Sequence, residues 1–333
     1  MDKKHWTEPN GVFIVNIPVS WQYKNTLVDS SEEKPPYSFE EYEDSVGCFQ
    51  LSCYPLSEKG INPNFPIQKC NSKIEWLESR MDDSEFDMYL WHAQVDDHLC
   101  FVKCIYSAND RSLPKVQKLV RQSKESLEFL RVIPAKERQH AVNLSKYDNF
   151  IGSLASSYDL REKAMESTSY IEVIAIVSNQ IDAFLRMSIL LKKQLQNDTN
   201  EIEVKYLFQE ENERGIIERK IYKEAKELGI LDEEKFNELN DLYDIRNRVI
   251  HRYIISHLKT SDIADTSVKY LILSEKIKSV LKSIEEEQME GNIGIYGRGF
   301  EKDYEPTKSD QKIAFAMAND KHLMKEFQRR IES

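Results

Sequence analysis

The sequence has no uninterrupted apolar run near the roughly 18 residues that a membrane span requires, and no apolar signal core follows its first residues. Positive charge is also in short supply, since 46 Lys and Arg stand against 57 Asp and Glu, for a net charge of -11. A broad nucleic-acid-binding surface needs many basic residues to neutralise phosphates, so this balance excludes one. We therefore expect a soluble cytoplasmic protein without a membrane partner, in which any contact with nucleic acid is local.

Cysteine is scarce as well: the chain has five, all in its first third. Cys48, Cys53, Cys100 and Cys104 lie in apolar, strand-like runs, and Cys70 makes the number odd. We interpret them as reduced core side chains in a reducing compartment, not as a disulfide framework. The Cys-x4-Cys and Cys-x3-Cys spacings fit a zinc knuckle poorly, and no His pair completes a site. We expect no metal and no cofactor.

The 333 residues, of which 40% are hydrophobic and 31% charged, are enough for two folded domains. Strand patterns dominate the first. Residues 12–17 form an apolar run, residues 48–54 alternate, and residues 88–106 divide at Asp96 and Asp97 as a hairpin would. Residues 113–130 then have helical periodicity with Pro114 in the first turn. We predict an antiparallel β-sheet with a packed helix over residues 1–134.

Five aromatic residues of this region could form a ligand groove, but such residues more often belong to the core or pack on a sheet face. They are Trp21, Tyr37, Phe39, Tyr89 and Trp91. We find no catalytic constellation among their neighbours, since His92 and His98 flank the proposed hairpin turn without a nearby nucleophile.

Helical periodicity takes over in the second half of the chain. Residues 135–165 are polar and mixed, and we predict a linker with some helix. We then predict an all-α bundle over residues 166–290. Its four helices are expected at 169–196, 210–228, 233–258 and 267–290. The predicted fold class is therefore α+β.

A glycine-rich connector and a C-terminal helix, near residues 309–331, are expected over residues 291–333. The glycine-rich segment 291–299 could suggest a phosphate-binding loop. However, it follows a helix instead of a strand and lacks the Gly-Lys-Ser/Thr ending, so we favour a flexible connector.

Arg246, Asn247 and His251 interrupt the apolar stripe of the third predicted helix. We expect that stripe to bury five residues at 3.6-residue spacing. They are Phe236, Leu239, Tyr243, Ile250 and Ile254. Asn247 and His251 are one turn apart, and the long side chain of Arg246 could bend toward the same groove.

These three residue types suit cleavage of RNA without a metal. The His251 imidazole can act as acid or base near neutral pH. The Arg246 guanidinium can hold a phosphate with two parallel hydrogen bonds, and Asn247 can orient either partner. Because one histidine cannot easily be both acid and base in a turnover, the mechanism predicts a homodimer.

Residues 246–259 form a basic segment without an acidic side chain, in which Arg248, Arg252 and Lys259 are candidate RNA contacts. Tyr253, His257 and Asp182 are possible supporting residues. About one Arg-x4-6-His match is expected by chance, and Arg252 with His257 forms a second match. Two alternatives involve no catalysis. The basic segment could be a solvated helix face, or Arg246 and Asn247 could pair with acids such as Asp182 and fix the helix register.

With Arg246, Asn247 and His251 in a late helix, the bundle resembles the HEPN superfamily, whose motif is Arg-x4-6-His, often with a polar residue after the arginine. The polar positions Asp182 and Arg186 in the first bundle helix are similar to those that face the motif in that family. The resemblance covers about a third of the chain. It implies a metal-independent endoribonuclease acting as a dimer, with those roles for Arg246 and His251, in toxin–antitoxin or antiviral defence systems. A possible antitoxin or regulatory partner goes with those settings.

Some members of that superfamily lack activity, so a non-catalytic dimerisation and binding module is the alternative function. The first half, through its strand order, Trp21 and its closing helix, more loosely resembles PsbP-like sandwiches. That resemblance implies a sensing or partner-binding module.

Overall fold

The computed structural model describes residues 2–25, 34–42, 45–59, 65–70, 72–209, 212–297, 305–322 and 324–331. The fold class is α+β, as predicted: β-sheets occupy the first part of the chain and helices the rest. Two compact units are distinguished. Unit 1 comprises Met1–Ser145, Lys308–Ala316 and Arg329–Ser333, and unit 2 comprises Lys146–Thr307 and Met317–Gln328.

Among the described residues, ten strands and two helices lie wholly within unit 1. The strands are β1 (Lys3–Thr7), β2 (Phe13–Pro18), β3 (Trp21–Asn25), β4 (Tyr37–Glu41), β5 (Gly47–Pro55), β6 (Ile67–Gln68), β7 (Leu77–Asp82), β8 (Phe86–Val95), β9 (His98–Ser107) and β10 (Arg131–Val132). The helices are α1 (Leu56–Lys59) and α2 (Pro114–Leu127).

The strands form two sheets. The smaller has the order β1-β2-β10, and the larger has the order β3-β4-β5-β9-β8-β6, with β7 also paired to β8. Pairing is antiparallel except between β6 and β8. The predicted hairpin is confirmed, since β8 and β9 pair from Phe86 and Ser107 to Val95 and His98. Asp96 in its turn has a positive φ of 47°, which the short polar side chain of aspartate tolerates.

Aromatic side chains fill the core of unit 1 instead of lining a groove. Trp21, Tyr37, Phe39 and Trp91 are buried there, and Tyr89 packs against the same cluster. Helix α2 begins with Pro114 in its first turn, as the sequence predicts. Its buried residues Val116, Leu119 and Leu127 join this core, as the spacing of its apolar residues requires.

Unit 2 contains the four predicted bundle helices. They are α4 (Tyr170–Asn197), α5 (Glu218–Glu227), α6 (Glu233–Arg252) and α7 (Thr260–Gly291), preceded by α3 (Ala135–Glu166) and followed by α8 (Lys308–His322). The division between the units falls within α3 and α8. Short 3₁₀ turns lie at Ala108–Asp110 in unit 1 and at Val204–Tyr206 and Lys325–Phe327 in unit 2.

Helix α4 is the centre of the bundle. It packs against α5, α6 and α7 and buries Ile174, Ile181 and Leu185 completely. Among the described residues it is the one helix long and apolar enough to cross a membrane, and 67% of its most apolar window is buried inside the fold. A core helix has the same composition as a membrane span, so α4 is weak evidence for a membrane.

Several segments differ from the sequence prediction, and among them helix α5 begins at Glu218, not near residue 210. Residues 135–165, predicted as a linker with some helix, belong to the continuous helix α3. Its second half packs Tyr147, Phe150, Leu154 and Tyr158 against the bundle core. Helix α6 ends at Arg252, not near residue 258, and α7 begins at Thr260, not 267. The backbone N–H of Lys259 donates to Asp262 Oδ2 (2.9 Å), so an acidic side chain caps this earlier start.

The described part of the glycine-rich segment is held in place by side-chain amides of neighbouring residues. Gly294 N donates to Asn200 Oδ1 (2.8 Å), and Tyr296 N donates to Gln288 Oε1 (3.1 Å). Gly294 has a φ of +79°, which explains the need for glycine. Residues 298 and 299 of the proposed connector lie outside the described residues. Helix α8 ends at His322, well before residue 331, where the sequence predicts its end.

Candidate functional site

Helix α6 carries all three predicted catalytic residues. Its start follows from its sequence: the Asp232 side chain accepts a hydrogen bond from Lys235 N (2.8 Å), and Glu233 and Glu234 occupy the first turn, where acidic side chains stabilise a helix. Further along, Leu239, Leu242 and Val249 are buried.

The stripe that α6 buries matches the predicted one only in part: Leu239 is buried, and Phe236 and Tyr243 pack partly buried against the bundle core. Leu239, Leu242 and Val249 form the stripe, whereas Ile250 and Ile254, predicted as buried, are exposed. The four-residue and three-residue steps from Leu242 to Arg246 and from Arg246 to Val249 put Arg246 in line with this stripe. The Arg246 side chain therefore leaves α6 on the side that faces the bundle interior.

Arg246 pairs with Glu218, the first residue of α5. Its Nη1 donates to Glu218 Oε1 and its Nη2 to Glu218 Oε2, both at 2.6 Å. The two side chains are only 12% and 18% exposed. Burial acts to lower the pKa of Arg246, but the hydrogen bonds and charge of Glu218 outweigh it and raise that pKa. This is the planar two-bond geometry that arginine also uses for phosphate.

The ring of Tyr243 completes the surroundings of this pair. The Arg246 guanidinium carbon lies 4.7 Å from the Tyr243 ring centre, and that of Arg219 lies 4.6 Å from it. Arg219 Nη2 in turn donates a hydrogen bond to Asp244 Oδ1 (2.5 Å). The first turn of α5 is thus joined to the middle of α6 by two ion pairs and by the contact of Arg219 with the Tyr243 ring.

Asp182 of α4, a predicted supporting residue, does not pair with Arg246 in the described structure. Its Oδ2 accepts a hydrogen bond from Arg186 Nε (2.5 Å), and Arg186 Nη2 also donates to Ile216 O (2.8 Å). Burial raises the pKa of Asp182 although Arg186 opposes the shift. The second of the two non-catalytic alternatives is thus correct in kind, because an acid in the bundle does hold Arg246, but that acid is Glu218.

The structure brings Arg246 and Asn247 together but leaves His251 apart from them. Arg246 Nη2 donates to Asn247 Oδ1 (3.3 Å). His251 is exposed, and within the described residues it has no hydrogen bond or ion pair. The five residues from Arg246 to His251 correspond to about 7.5 Å along the helix axis. Within one chain, the three groups do not converge on a single groove.

His251 lies at the border of an apolar groove. This groove has a volume of about 380 Å³ and adjoins another of about 500 Å³ near Thr168 and Thr260. Ile171, Ile250 and Tyr253 line both. Two isoleucines that follow His251 also line the smaller groove, and they are highly exposed: Ile254 is 94% and Ile255 81% exposed.

We call residues 250–257 the α6 end segment. The predicted RNA contacts Arg248, Arg252 and Lys259 lie in or beside it, all exposed, and none forms an ion pair among the described residues. His257 is also exposed, and Tyr253 is 40% exposed. Unpaired cations next to an exposed imidazole make this the one end of α6 with a local positive potential.

Sequence reasoning missed Glu218 and the exposure of Ile254 and Ile255. Glu218 has a local signal, since acidic residues favour the first turn of a helix, but its partner lies 28 positions away along the chain. For the isoleucines, the available signal was the run of Tyr253 to Ser256, in which consecutive apolar residues cannot all face one side of a helix.

No arrangement for a metal ion is found among the described residues, where no three His, Cys, Asp or Glu side chains are grouped in that way. The α6 end segment itself carries the imidazoles of His251 and His257, the guanidinium of Arg252 and the phenol of Tyr253.

The chain matches no protein-family model and no curated protein. Among solved structures it is similar to one from Bacteroides thetaiotaomicron VPI-5482, with 13% sequence identity over 54% of this chain and 79% of that chain. The TM-score of that comparison is 0.29, so it carries no argument about fold or function.

Proposed function

We propose that this protein is a metal-independent endoribonuclease of HEPN type that acts as a cytoplasmic homodimer, with His251 and Arg246 as its reactive groups. The observation that carries the proposal is the state of His251. This imidazole is exposed and unpaired among the described residues, in a segment rich in arginine and free of acidic residues. A histidine kept only for packing would be buried or paired.

The proposed reaction uses groups whose chemistry fits each step. One His251 imidazole removes the proton of a ribose 2'-hydroxyl, and that oxygen attacks the adjacent phosphorus. A protonated imidazole supplies a proton to the departing 5' oxygen. The guanidinium of Arg246 offsets the charge that accumulates on the phosphate oxygens, while Asn247 orients that guanidinium.

A homodimer supplies the second imidazole. The α6 end segment exposes Ile250, Tyr253, Ile254 and Ile255, next to Ile171 of α4. A contiguous apolar surface of this kind marks an interaction site on a soluble protein. A second copy that covers these side chains brings its own His251 to the same place, because a two-fold interface uses the same patch on both subunits.

Arg246 must exchange its partner during the proposed reaction. Glu218 accepts hydrogen bonds from both terminal nitrogens of Arg246, Nη1 and Nη2, so RNA competes with an internal carboxylate for them. A phosphodiester offers the same two-oxygen geometry, and approach of Arg252 from either subunit adds positive charge. RNA binding is therefore expected to be coupled to a rotation of the Arg246 side chain.

A non-catalytic dimerisation module is the second candidate, and the Arg246–Glu218 pair favours it. A guanidinium that pairs with a mostly buried carboxylate at 2.6 Å joins two helices without any substrate. In that case the apolar α6 end segment binds a partner and His251 is an exposed bystander.

The test is incubation of purified protein with total RNA and tRNA in EDTA. The variants are His251→Ala, Arg246→Lys, which keeps a charge opposite Glu218, and His257→Ala as the matched exposed histidine. The nuclease proposal expects cleavage that survives chelation, is lost with His251→Ala and Arg246→Lys, and persists with His257→Ala. Absence of cleavage by a confirmed dimer, or cleavage that all three variants retain, favours the binding module.

A further inference from the structure

Cys53 and Cys100 are directly opposed across the two central strands of the larger sheet in unit 1. In the antiparallel pairing of β5 with β9, the Cα partner of Cys53 is Cys100. Opposed residues in antiparallel strands have Cα atoms about 4.5 or 5.5 Å apart. Both separations fall within the range of about 4.4–6.8 Å that a disulfide spans. The backbone therefore requires no movement for a bond between these two residues.

The side chains are already in contact. The Cys53 and Cys100 Sγ atoms lie 2.7 Å apart, and both are thiols in this structure. The other cysteines lack such a partner: Cys48 is opposite Ile105, and Cys104 is opposite Phe49. Of the five cysteines, only this pair has the register and the contact together.

Access to the pair is one-sided. Cys100 is completely buried between Cys53 on β5 and Ala93 on β8, whereas Cys53 is partly exposed near the end of its strand. Of the two residues Cys53 is therefore the nearer to solvent, although its thiol is largely buried, and Cys100 lies where it can react with whatever forms there. This is the arrangement of an attacking and a resolving thiol.

We propose that Cys53 and Cys100 are a reversible redox modification site, which small-molecule disulfides oxidise to a cross-strand disulfide in the folded protein. The Cys53 thiolate attacks one sulfur of the small disulfide, forms a mixed disulfide, and releases one small thiolate. The Cys100 sulfur, after losing its proton, attacks Cys53 Sγ and releases the second small thiolate. The protein loses two protons and two electrons, and the small disulfide gains them as two thiols.

Two features set the conditions for this chemistry. Burial, together with the neighbouring Cys100 thiol, raises the pKa of Cys53, so thiolate is scarce near neutral pH and the reaction accelerates as pH rises. In a reducing compartment the pair stays reduced, consistent with cysteines that lack disulfides at rest. The site does not depend on the ribonuclease proposal, since it lies in unit 1 and uses neither Arg246 nor His251.

The experiment treats the folded wild-type protein with excess glutathione disulfide at alkaline pH. Remaining thiols are then alkylated under denaturing conditions and counted by intact mass, and cross-linked peptides are mapped. The proposal expects the number of alkylated cysteines to fall from the five of the sequence to three, a single linkage between Cys53 and Cys100, and full return of five after reduction.

Cys53→Ser and Cys100→Ser must each abolish the linkage, while Cys48→Ser, a change on the same strand, must leave it intact. Five alkylated cysteines after treatment would overturn the proposal. So would a glutathione adduct that persists on Cys53, or a linkage that involves Cys48, Cys70 or Cys104. Because the wild-type map decides between these outcomes, the conclusion stands even if a serine variant folds poorly.

Discussion

Polar residues have opposite environments in the middle and at the end of helix α6. In the middle, Arg246 lies in line with the buried stripe and forms an ion pair with Glu218 at 2.6 Å. At the end, His251 is exposed and Ile254, an apolar residue, is 94% exposed. A folded chain normally buries isoleucine and leaves histidine unconstrained. The contrast teaches that contacts within the chain account for the polar residue in the middle of α6, whereas the exposed residues at its end are the ones on which the proposed dimer and reaction depend.

The largest expected effect is that of His251→Ala on RNA cleavage, and it separates a catalytic role of His251 from a role in stability. His251→Ala should lower the rate of RNA cleavage by about 100-fold or more, the usual contribution of general acid–base catalysis. Because the side chain is exposed, the free energy of unfolding should change by less than about 0.5 kcal/mol. Rates and chemical denaturation of the same samples measure both. Equal rate losses with His257→Ala would remove the distinction between the two histidines.

Arg246→Ala should act mainly on stability. It leaves the Glu218 carboxylate mostly buried and unpaired, which we expect to cost about 2–3 kcal/mol of unfolding free energy, less than for a fully buried pair because both side chains retain some solvent contact. A double-mutant cycle with Glu218→Ala measures the coupling. If the two single changes were simply additive, the pair would not hold α5 to α6.

The exposed isoleucines should matter for association and not for folding. Ile254→Asp with Ile255→Asp should weaken the dimer at least about tenfold, since two charges would be buried at the interface, and leave the unfolding free energy of the monomer nearly unchanged. Sedimentation across a concentration series measures the dissociation constant. Ile272→Asp, at an isoleucine of α7 that is 53% exposed, is the matched control. A dimer that resists the double change would place its interface elsewhere.

The smallest effect concerns competition for Arg246. Glu218→Gln keeps the shape of the side chain but removes its charge, so RNA should bind roughly threefold more tightly because it no longer displaces an ion pair. Binding is best measured in a His251→Ala background, in which RNA stays intact. Asp244→Asn, at the exposed acid that pairs with Arg219, should leave affinity unchanged. Weaker binding in Glu218→Gln would mean that Glu218 positions Arg246 for RNA.

Periodicity and capping signals in the sequence predicted most of the secondary-structure elements in their order, but they did not predict the contacts between them. Helical periodicity and the cap at Asp232 located α6 at its start, and strand alternation located the β8–β9 hairpin. The helical spacing of Tyr147, Leu154 and Tyr158 in α3 is present in the sequence, but the many polar residues around them favoured a linker in the prediction.

The pairing of Arg246 with Glu218 was beyond the sequence for another reason. It depends on how α5 packs against α6, and nothing in the spacing of either helix encodes a contact across 28 positions. The same holds for Cys53 and Cys100, because alternation identifies strands but does not set the register between β5 and β9.

The measurement that tests the central claim most directly is the chemistry of the RNA ends produced in EDTA. Attack by a 2'-hydroxyl on the adjacent phosphate predicts a 2',3'-cyclic phosphate and a 5'-hydroxyl, formed by the wild-type dimer and absent with His251→Ala. Ends with a 3'-hydroxyl and a 5'-phosphate, or cleavage that requires a divalent metal, would contradict a nuclease built on His251 and Arg246.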